Sequence, residues 1–166
     1  MLRARAPENS KPVAARPHFP AAYGAPTDTA LMPWATANER LMHASHYWLC
    51  TVGPDAMPMA RPLDGVWIAN ALYFGGDPAT RWRRNLRANA HASVHLDDAA
   101  SPVMLEGEVV VDGASDKLAA VIAEKTHAKY GWGSVDQYRA EVCAFIPHRA
   151  IAWTGLFENA TRFTFP

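Results

Sequence analysis

From residue 34 onward the apolar positions fall into short stretches whose period changes repeatedly. Trp34, Leu41 and Met42 are spaced as one face of a short helix, which Pro33 can open and which runs to about His43. Over 47–52 the period drops to two: Tyr47, Leu49 and Thr51 alternate with Trp48, Cys50 and Val52, as in a strand. The turn sequence GPDAMP leads to an extended segment at about 58–68, where Pro58 and Pro62 predict an edge, a bulge or a ligand-facing stretch. ALYFGG reads as a further short strand, and DPATRWRRNLRANA (77–90) as a helix with Asp77 as its cap and Pro78 in its first turn. HASVHLD (91–97) alternates again, and VMLEGEVVV (103–111) carries the strongest strand signal in the chain. A helix from Ser115 to about Lys129 puts Leu118, Val121, Ile122 and Lys125 on one face, and YGWG ends it. A weaker helical patch at 134–140 precedes extended segments at 142–153 and 161–165, with Pro147 limiting the pairing of the former.

Many short strands with two or three helices predict a mainly β fold, a small antiparallel barrel with attached helices occupying residues 33–166 as one domain. A doubly wound parallel sheet would need regular strand-helix alternation, and GxGxxG is absent. Residues 1–32 hold a cluster of prolines and read as an extended arm, either a partly disordered tail or a segment lying on a partner subunit through Phe19, Tyr23 and Leu31.

At 166 residues the chain can bury roughly 70% of its extended surface, enough for a core without staples. Sixteen basic and sixteen acidic residues leave no net charge, which argues against a broad nucleic-acid or anionic-membrane surface. Two distant cysteines fit neither a disulfide scaffold nor a thiol-rich metal centre. No apolar run reaches membrane-spanning length, and the proline-rich start lacks the apolar core of a signal peptide. A soluble, cytoplasmic protein is expected, with neither membrane nor nucleic acid as partner.

Locally the charge is uneven. Four of the twelve arginines fall at 81, 83, 84 and 87, directly after a strand and at the start of a helix. Arg81 and Arg84 share one helical face and Arg83 and Arg87 another, so the four cannot grip one small anion together. The open amides around Thr80 and Arg81, the positive helix end and a guanidinium fork could hold a phosphate; a solvated basic face is the plainer reading. Arg61, in the preceding extended segment, reaches the same helix mouth if its strand packs beside 71–76.

Other chemistries find little support. The histidines form no HExxH or tight ligand cluster, and His91 and His95, on one side of a strand, stand about 13 Å apart, too far to share a metal ion. Cys50 and Cys143 lack CxxC spacing, and no Ser-His-Asp order is evident. No metal is expected, and no residue is marked as catalytic.

The strings HYWLCTVGPDAMPMARPLDGVWIANALYFGGDPATRWRRNLRANAHASVHLDD and VMLEGEVVVD, followed by KYGW and AWTGLFENATRFTF, resemble the FMN-binding split β-barrel superfamily. These are the pyridoxamine 5'-phosphate oxidase-like proteins, including the branch that uses the deazaflavin F420. The resemblance spans about 34–165 and rests on the order of its motifs. It implies a six-stranded Greek-key antiparallel barrel with flanking helices, and a homodimer with the flavin in a groove between subunits. Arg61 matches the strand arginine directed at the FMN phosphate; Thr80 and Arg81 match the hydroxyl residue and arginine of the phosphate-binding helix start.

Trp82 stands where a lysine is frequent, Val66 stands near the position of another, and Gly75, after Phe74, replaces a common hydroxyl-bearing residue; these departures argue against pyridoxamine 5'-phosphate oxidase itself. Pro62, Leu63, Asp64 and Gly65 fall where strand amides face the flavin pyrimidine or N5, with Leu63 to Val66 near the ring. Trp132 and Trp153 match a substrate-side or cross-subunit wall, although aromatic residues here, Tyr73 and Tyr130 included, serve equally as packing. Asn85, Leu86, Glu106 and Gly107 read as architectural. The resemblance implies an FMN-dependent oxidoreductase acting on a small molecule, with an F420-dependent reductase or a non-catalytic flavin carrier or sensor as alternatives.

Overall fold

The computed structural model describes residues 11–166. Nine strands and four α-helices follow one another among them: β1 (Val13–Ala15), α1 (Trp34–His43), β2 (Tyr47–Val52), β3 (Pro58–Leu63), β4 (Val66–Ile68), β5 (Ala71–Phe74), α2 (Arg81–Ala88), β6 (His91–His95), β7 (Val103–Asp112), α3 (Asp116–Tyr130), α4 (Val135–Ala140), β8 (Val142–Ala152) and β9 (Thr161–Thr164). The alternation at 47–52 is realised directly, with Tyr47, Leu49 and Thr51 buried and Trp48 and Cys50 on the more open face.

All strand pairs are antiparallel, and a path of neighbours runs β1-β9-β8-β7-β6-β2-β3, with the β4–β5 hairpin joined to β8 through β5. The barrel circuit is therefore β3-β2-β6-β7-β8-β5-β4. Its two end strands, β3 and β4, follow one another in sequence but are not paired, so Asp64 and Gly65 close the circuit covalently rather than by a ladder. The expected single segment at 58–68 is in fact these two strands, which adds β4 to the six strands anticipated. As Pro58 and Pro62 require, β3 is an edge.

One edge of β8 is shared. Cys143–Phe145 pair with β5, while Arg149–Ala152 pair with β9. Pro147 lies between the two halves and has no N–H to give. Opposite it the β7 register shifts: Glu106 faces Arg149 and Gly107 faces Pro147, so His148 is the extra residue of a bulge. Gly107 has no alternative there, because a Cβ would stand 2.1 Å from the Ile146 carbonyl oxygen.

Two apolar clusters result. Tyr47, Leu49, Val94, Leu105, Phe145 and Phe163 fill the barrel, while α3 and α4 cover a second cluster containing Ala119, Ile122, Tyr138 and Ala144. The part of the N-terminal arm within the described residues lies on its own chain: β1 pairs with β9, and Phe19 meets Trp153 edge-on at 6.0 Å. Residues 1–10, the remainder of the expected arm, lie outside the described residues.

Candidate functional site

A cavity of about 350 Å³ opens beside the barrel seam, lined by Arg61, Leu63, Asp64, Gly75, Gly76, Asp77, Thr80, Trp82, Trp132 and Gln137. Three elements meet there: the end of β3, the β5–α2 connection, and the segment that joins α3 to α4. The volume lies at the small end for ligand pockets.

The phosphate-side expectations centre on the start of α2. Asp77 does not cap this helix, as the sequence predicted, because its carboxylate accepts from the Ala79 amide (2.7 Å) and its carbonyl from the Thr80 amide (3.0 Å). That turn moves the helix start to Arg81 and makes Thr80 the cap residue, with its hydroxyl donating back to the Asp77 carbonyl at 2.8 Å. The first-turn amides of α2 thus lack a side-chain cap at the cavity mouth.

The four arginines of α2 have separate tasks. Arg83 is buried, donating to Glu141 at 2.8 Å and lying 2.9 Å from the Cys143 sulfur. Arg84 donates to the Ala79 carbonyl and Arg87 to that of Pro78, so both brace the turn. Arg81 is exposed, and its side chain has no hydrogen-bond or ionic partner among the described residues. Trp82, in the place of the frequent lysine, is buried against Phe74, and its ring lies so close to Gly76 that a Cβ there would stand 2.4 Å from it. The guanidinium carbon of Arg61 lies 5.9 Å from the centre of that ring. A tryptophan at this position adds no charge but gives the Arg61 cation an aromatic surface at the cavity wall.

The opposite wall is held from behind. Tyr130 donates to the Ser45 carbonyl (2.7 Å) and accepts from the Gly65 amide (3.0 Å), while the Lys129 ammonium donates to the Gly65 carbonyl at 2.9 Å. Lys129 also lies 4.7 Å from the Tyr47 ring centre and 5.0 Å from that of Tyr130. Burial brings its ammonium down to about 8, against an opposing pull from Asp64. Desolvation moves the Tyr47 and Tyr130 phenols upward. Asp64 itself is 3.3 Å from His46.

Of the residues singled out in the sequence, Arg61, Leu63, Asp64, Gly75, Thr80, Trp82 and Trp132 come together at this cavity. Phe74 is one layer behind, packed on Trp82. Pro62 is exposed on the edge strand and has no amide to offer, and the Gly65 amide is already taken by Tyr130. Val66 faces the second apolar cluster and a different cavity, shared with Trp67, Met42, His43, Lys125, Ala128 and Lys129. Trp153 sits at the far end of the barrel with Phe19 and Phe157. Asn85 is buried and donates to the Thr51 hydroxyl, and Glu106 pairs with Arg149, as architectural roles require. Sequence reasoning missed Gly76, Asp77, Gln137 and Lys129; the last lies within the quoted KYGW, but its partner Gly65 is 64 residues distant.

The family model for pyridoxamine 5'-phosphate oxidase matches residues 34–151. The chain belongs to that family. Its fold is the split barrel, mostly antiparallel sheet with flanking helices. A conserved hypothetical protein of Mycobacterium tuberculosis has a similar structure, with a TM-score of 0.64 at 19% identity, covering 78% of this chain and 89% of that one. A structure described as an F420 reductase gives 0.52 at 18% identity, covering 68% and 94%. A heme-binding protein of Mycobacterium smegmatis gives 0.63 at 18% identity, covering 81% and 60%. No curated protein matches the chain in sequence. Among the described residues no helix is long and apolar enough to cross a membrane, and no group of three or more His, Cys, Asp or Glu side chains could hold a metal ion.

Proposed function

We propose that this chain is an FMN-dependent oxidoreductase acting on a small molecule, working as a homodimer whose second copy completes the flavin groove. The observation that carries the reading is the pairing, in one cavity, of an anion grip with apolar walls: Arg61 and the uncapped start of α2 on one side, the aliphatic Leu63 and the planar rings of Trp82 and Trp132 on the others. This donor set suits a phosphate joined to a flat ring system. The two carboxylates at the rim are engaged locally, Asp77 with the Ala79 amide and Asp64 with His46, which reduces their opposition to an anion.

A bound flavin would supply the hydride or electron transfer itself. The chain's residues would hold and shield it. Arg61, steered by Trp82, and Thr80 would fix the phosphate; the Asp64 peptide would stand beside the ring; Trp132, 40% exposed at the cavity edge, would cover a ring face and exclude water. A second copy is supported by Met57, Val52 and Met104, large apolar side chains left exposed on β2, β7 and the β2–β3 turn. Haem is a weaker reading because the cavity lining has no imidazole or thiol to ligate iron.

The F420 alternative would draw on the α2 arginines for a longer anionic tail, but Arg83, Arg84 and Arg87 are occupied within the chain, which leaves Arg81 for that work. Titration of the purified chain with FMN and F420 separately, followed by absorption and fluorescence, tests the reading. Saturable FMN binding with weaker F420 binding is expected. The reverse order would assign an F420 reductase, FMN binding without reduction by any donor would assign a carrier or sensor, and binding of neither would reject a flavin function.

A further inference from the structure

Lys129 plays no part in the phosphate grip and does not line the cavity, yet it is bonded to the link behind the cavity wall. Its ammonium holds the Gly65 carbonyl at 2.9 Å while the next residue, Tyr130, accepts from the Gly65 amide, so consecutive side chains at the end of α3 grip both sides of one glycine. That glycine is half of the Asp64–Gly65 link that closes the barrel, and Asp64 and Leu63 just before it line the cavity. Gly65 is tightly placed: a Cβ there would stand 3.0 Å from both the Leu72 side chain and the Tyr73 carbonyl. Three residues after Lys129, Trp132 enters the same cavity. The end of α3 therefore carries one wall and holds the other.

We infer that Lys129 is a positioning residue for the flavin site, whose ammonium, through the Gly65 carbonyl, sets where the Leu63–Asp64 wall stands against the bound ring. This rests on the flavin reading above. A methionine at 129 would fill similar space and keep the apolar packing, but it would take the charged donor from the Gly65 carbonyl and leave it only the Tyr130 hydroxyl, 3.0 Å away, whose single proton is shared with the Ser45 carbonyl. Loss of the proton would weaken the same bond without changing the packing, because a charge-assisted hydrogen bond would become a neutral one.

The groups that face Lys129 are few. Tyr47 from β2 and Tyr130 from α3 flank it as neutral rings whose phenols are shifted upward; Asp64 attracts it from the seam, itself paired with His46; Lys125, one turn back, and His43 from the end of α1 share the cavity behind it. Neither phenol loses its proton in the range where Lys129 does.

The test compares wild type with Lys129→Met and Lys129→Arg in the full chain, with and without FMN. In wild type, FMN affinity should fall as pH rises through about 8. Lys129→Met should bind FMN about tenfold more weakly at pH 7 and show no such fall, while Lys129→Arg should keep near-wild-type affinity with the fall removed. Without ligand, lysine-selective NMR reads four lysine signals. One should titrate near 8, with the backbone amides of Asp64 and Gly65 shifting at the same midpoint, and both changes should be absent from Lys129→Met.

Amides that ignore the Lys129 titration would overturn the proposal whether or not flavin binds. Shifting amides together with an unchanged FMN pH profile in Lys129→Met would also overturn it, because Lys129 would then be structural alone. If wild type binds neither FMN nor F420, the flavin reading fails, and the positioning of a flavin wall is rejected with it, while the amide titration still reports whether Lys129 holds the seam.

Discussion

The guanidinium of Arg83 lies 2.8 Å from the carboxylate of Glu141, with the arginine side chain 5% exposed and its partner 47% exposed. The pair ties α2 to the residue between α4 and β8, and so fixes the helix whose start forms the cavity mouth. Removing the carboxylate leaves a buried cation in contact with a sulfur. Glu141→Ala should cost about 1–3 kcal/mol, below the figure for a fully buried pair because water reaches one partner. Urea unfolding monitored by tryptophan fluorescence would show the midpoint fall; an unchanged midpoint would mean the pair contributes nothing.

At Arg61 the expected effect is on ligand rather than fold. Arg61→Ala should weaken FMN binding by about 10–100-fold, the loss of one charge-assisted contact with a phosphate. Arg81→Ala should do less, because Arg81 does not line the cavity of its own chain. Isothermal titration on both variants checks the order, and a larger loss at Arg81 would place the phosphate outside the cavity described.

The two cysteines should differ sharply in reactivity. Cys143 is fully buried, and desolvation raises its thiol to about 11 despite the nearby Arg83, whereas Cys50 is only half-buried on β2. A thiolate is the reacting form. Ellman's reagent should therefore titrate one thiol in the native protein and two after denaturation. Two fast thiols in the native state would contradict the packing of Cys143.

Lys129 also makes stability depend on pH. Its ammonium falls from the ordinary value of 10.5 to about 8 on folding, chiefly through burial, so between these values the unfolded chain binds more protons. Stability should then rise with pH from about 8 towards 10. The raised Tyr47, Tyr73, Tyr130 and Tyr138 phenols act in the opposite sense above their ordinary value, where the folded chain retains protons that the unfolded chain loses, so the rise should reverse beyond pH 10. Denaturant midpoints between pH 7 and 11 would trace both limbs, and Lys129→Met should lack the first.

Gly107→Ala is the substitution the barrel should tolerate least for its size, since the new carbon would meet the Ile146 carbonyl oxygen at 2.1 Å. A cost of about 1–3 kcal/mol is expected, with a fall in Tm of roughly 2–4 °C for each kcal/mol. Calorimetry would detect it, and an unchanged Tm would mean that the bulge at His148 can relax.

Much of this architecture is local and could be read from the chain. The change of period at Tyr47–Val52, the helix at Trp34–His43 and the edge character imposed by Pro58 and Pro62 each depend on a few adjacent residues. The site was legible where a motif is contiguous, as at Thr80 and Trp82; Arg61 lines it although its strand does not pack beside 71–76 as expected, since β3 pairs with β2 while β5 pairs with β4 and β8, and it is the closure of the barrel that brings Arg61 to the cavity. What could not be read is decided at long range. Nothing in the spacing of four arginines says which one turns inward; Glu141 and Cys143, 58 and 60 residues away, decide that for Arg83. The break at Asp64–Gly65 is equally hidden, because it is the curl of the whole sheet, not the local sequence, that brings β3 and β4 to the same seam.

That seam gives the barrel an unequal resistance to being prised apart. Everywhere else along the circuit, separating neighbours means rupturing a ladder; between β3 and β4 there is no ladder, and the walls are tied instead by a two-residue link and by the side-chain bonds of Lys129 and Tyr130 to Gly65.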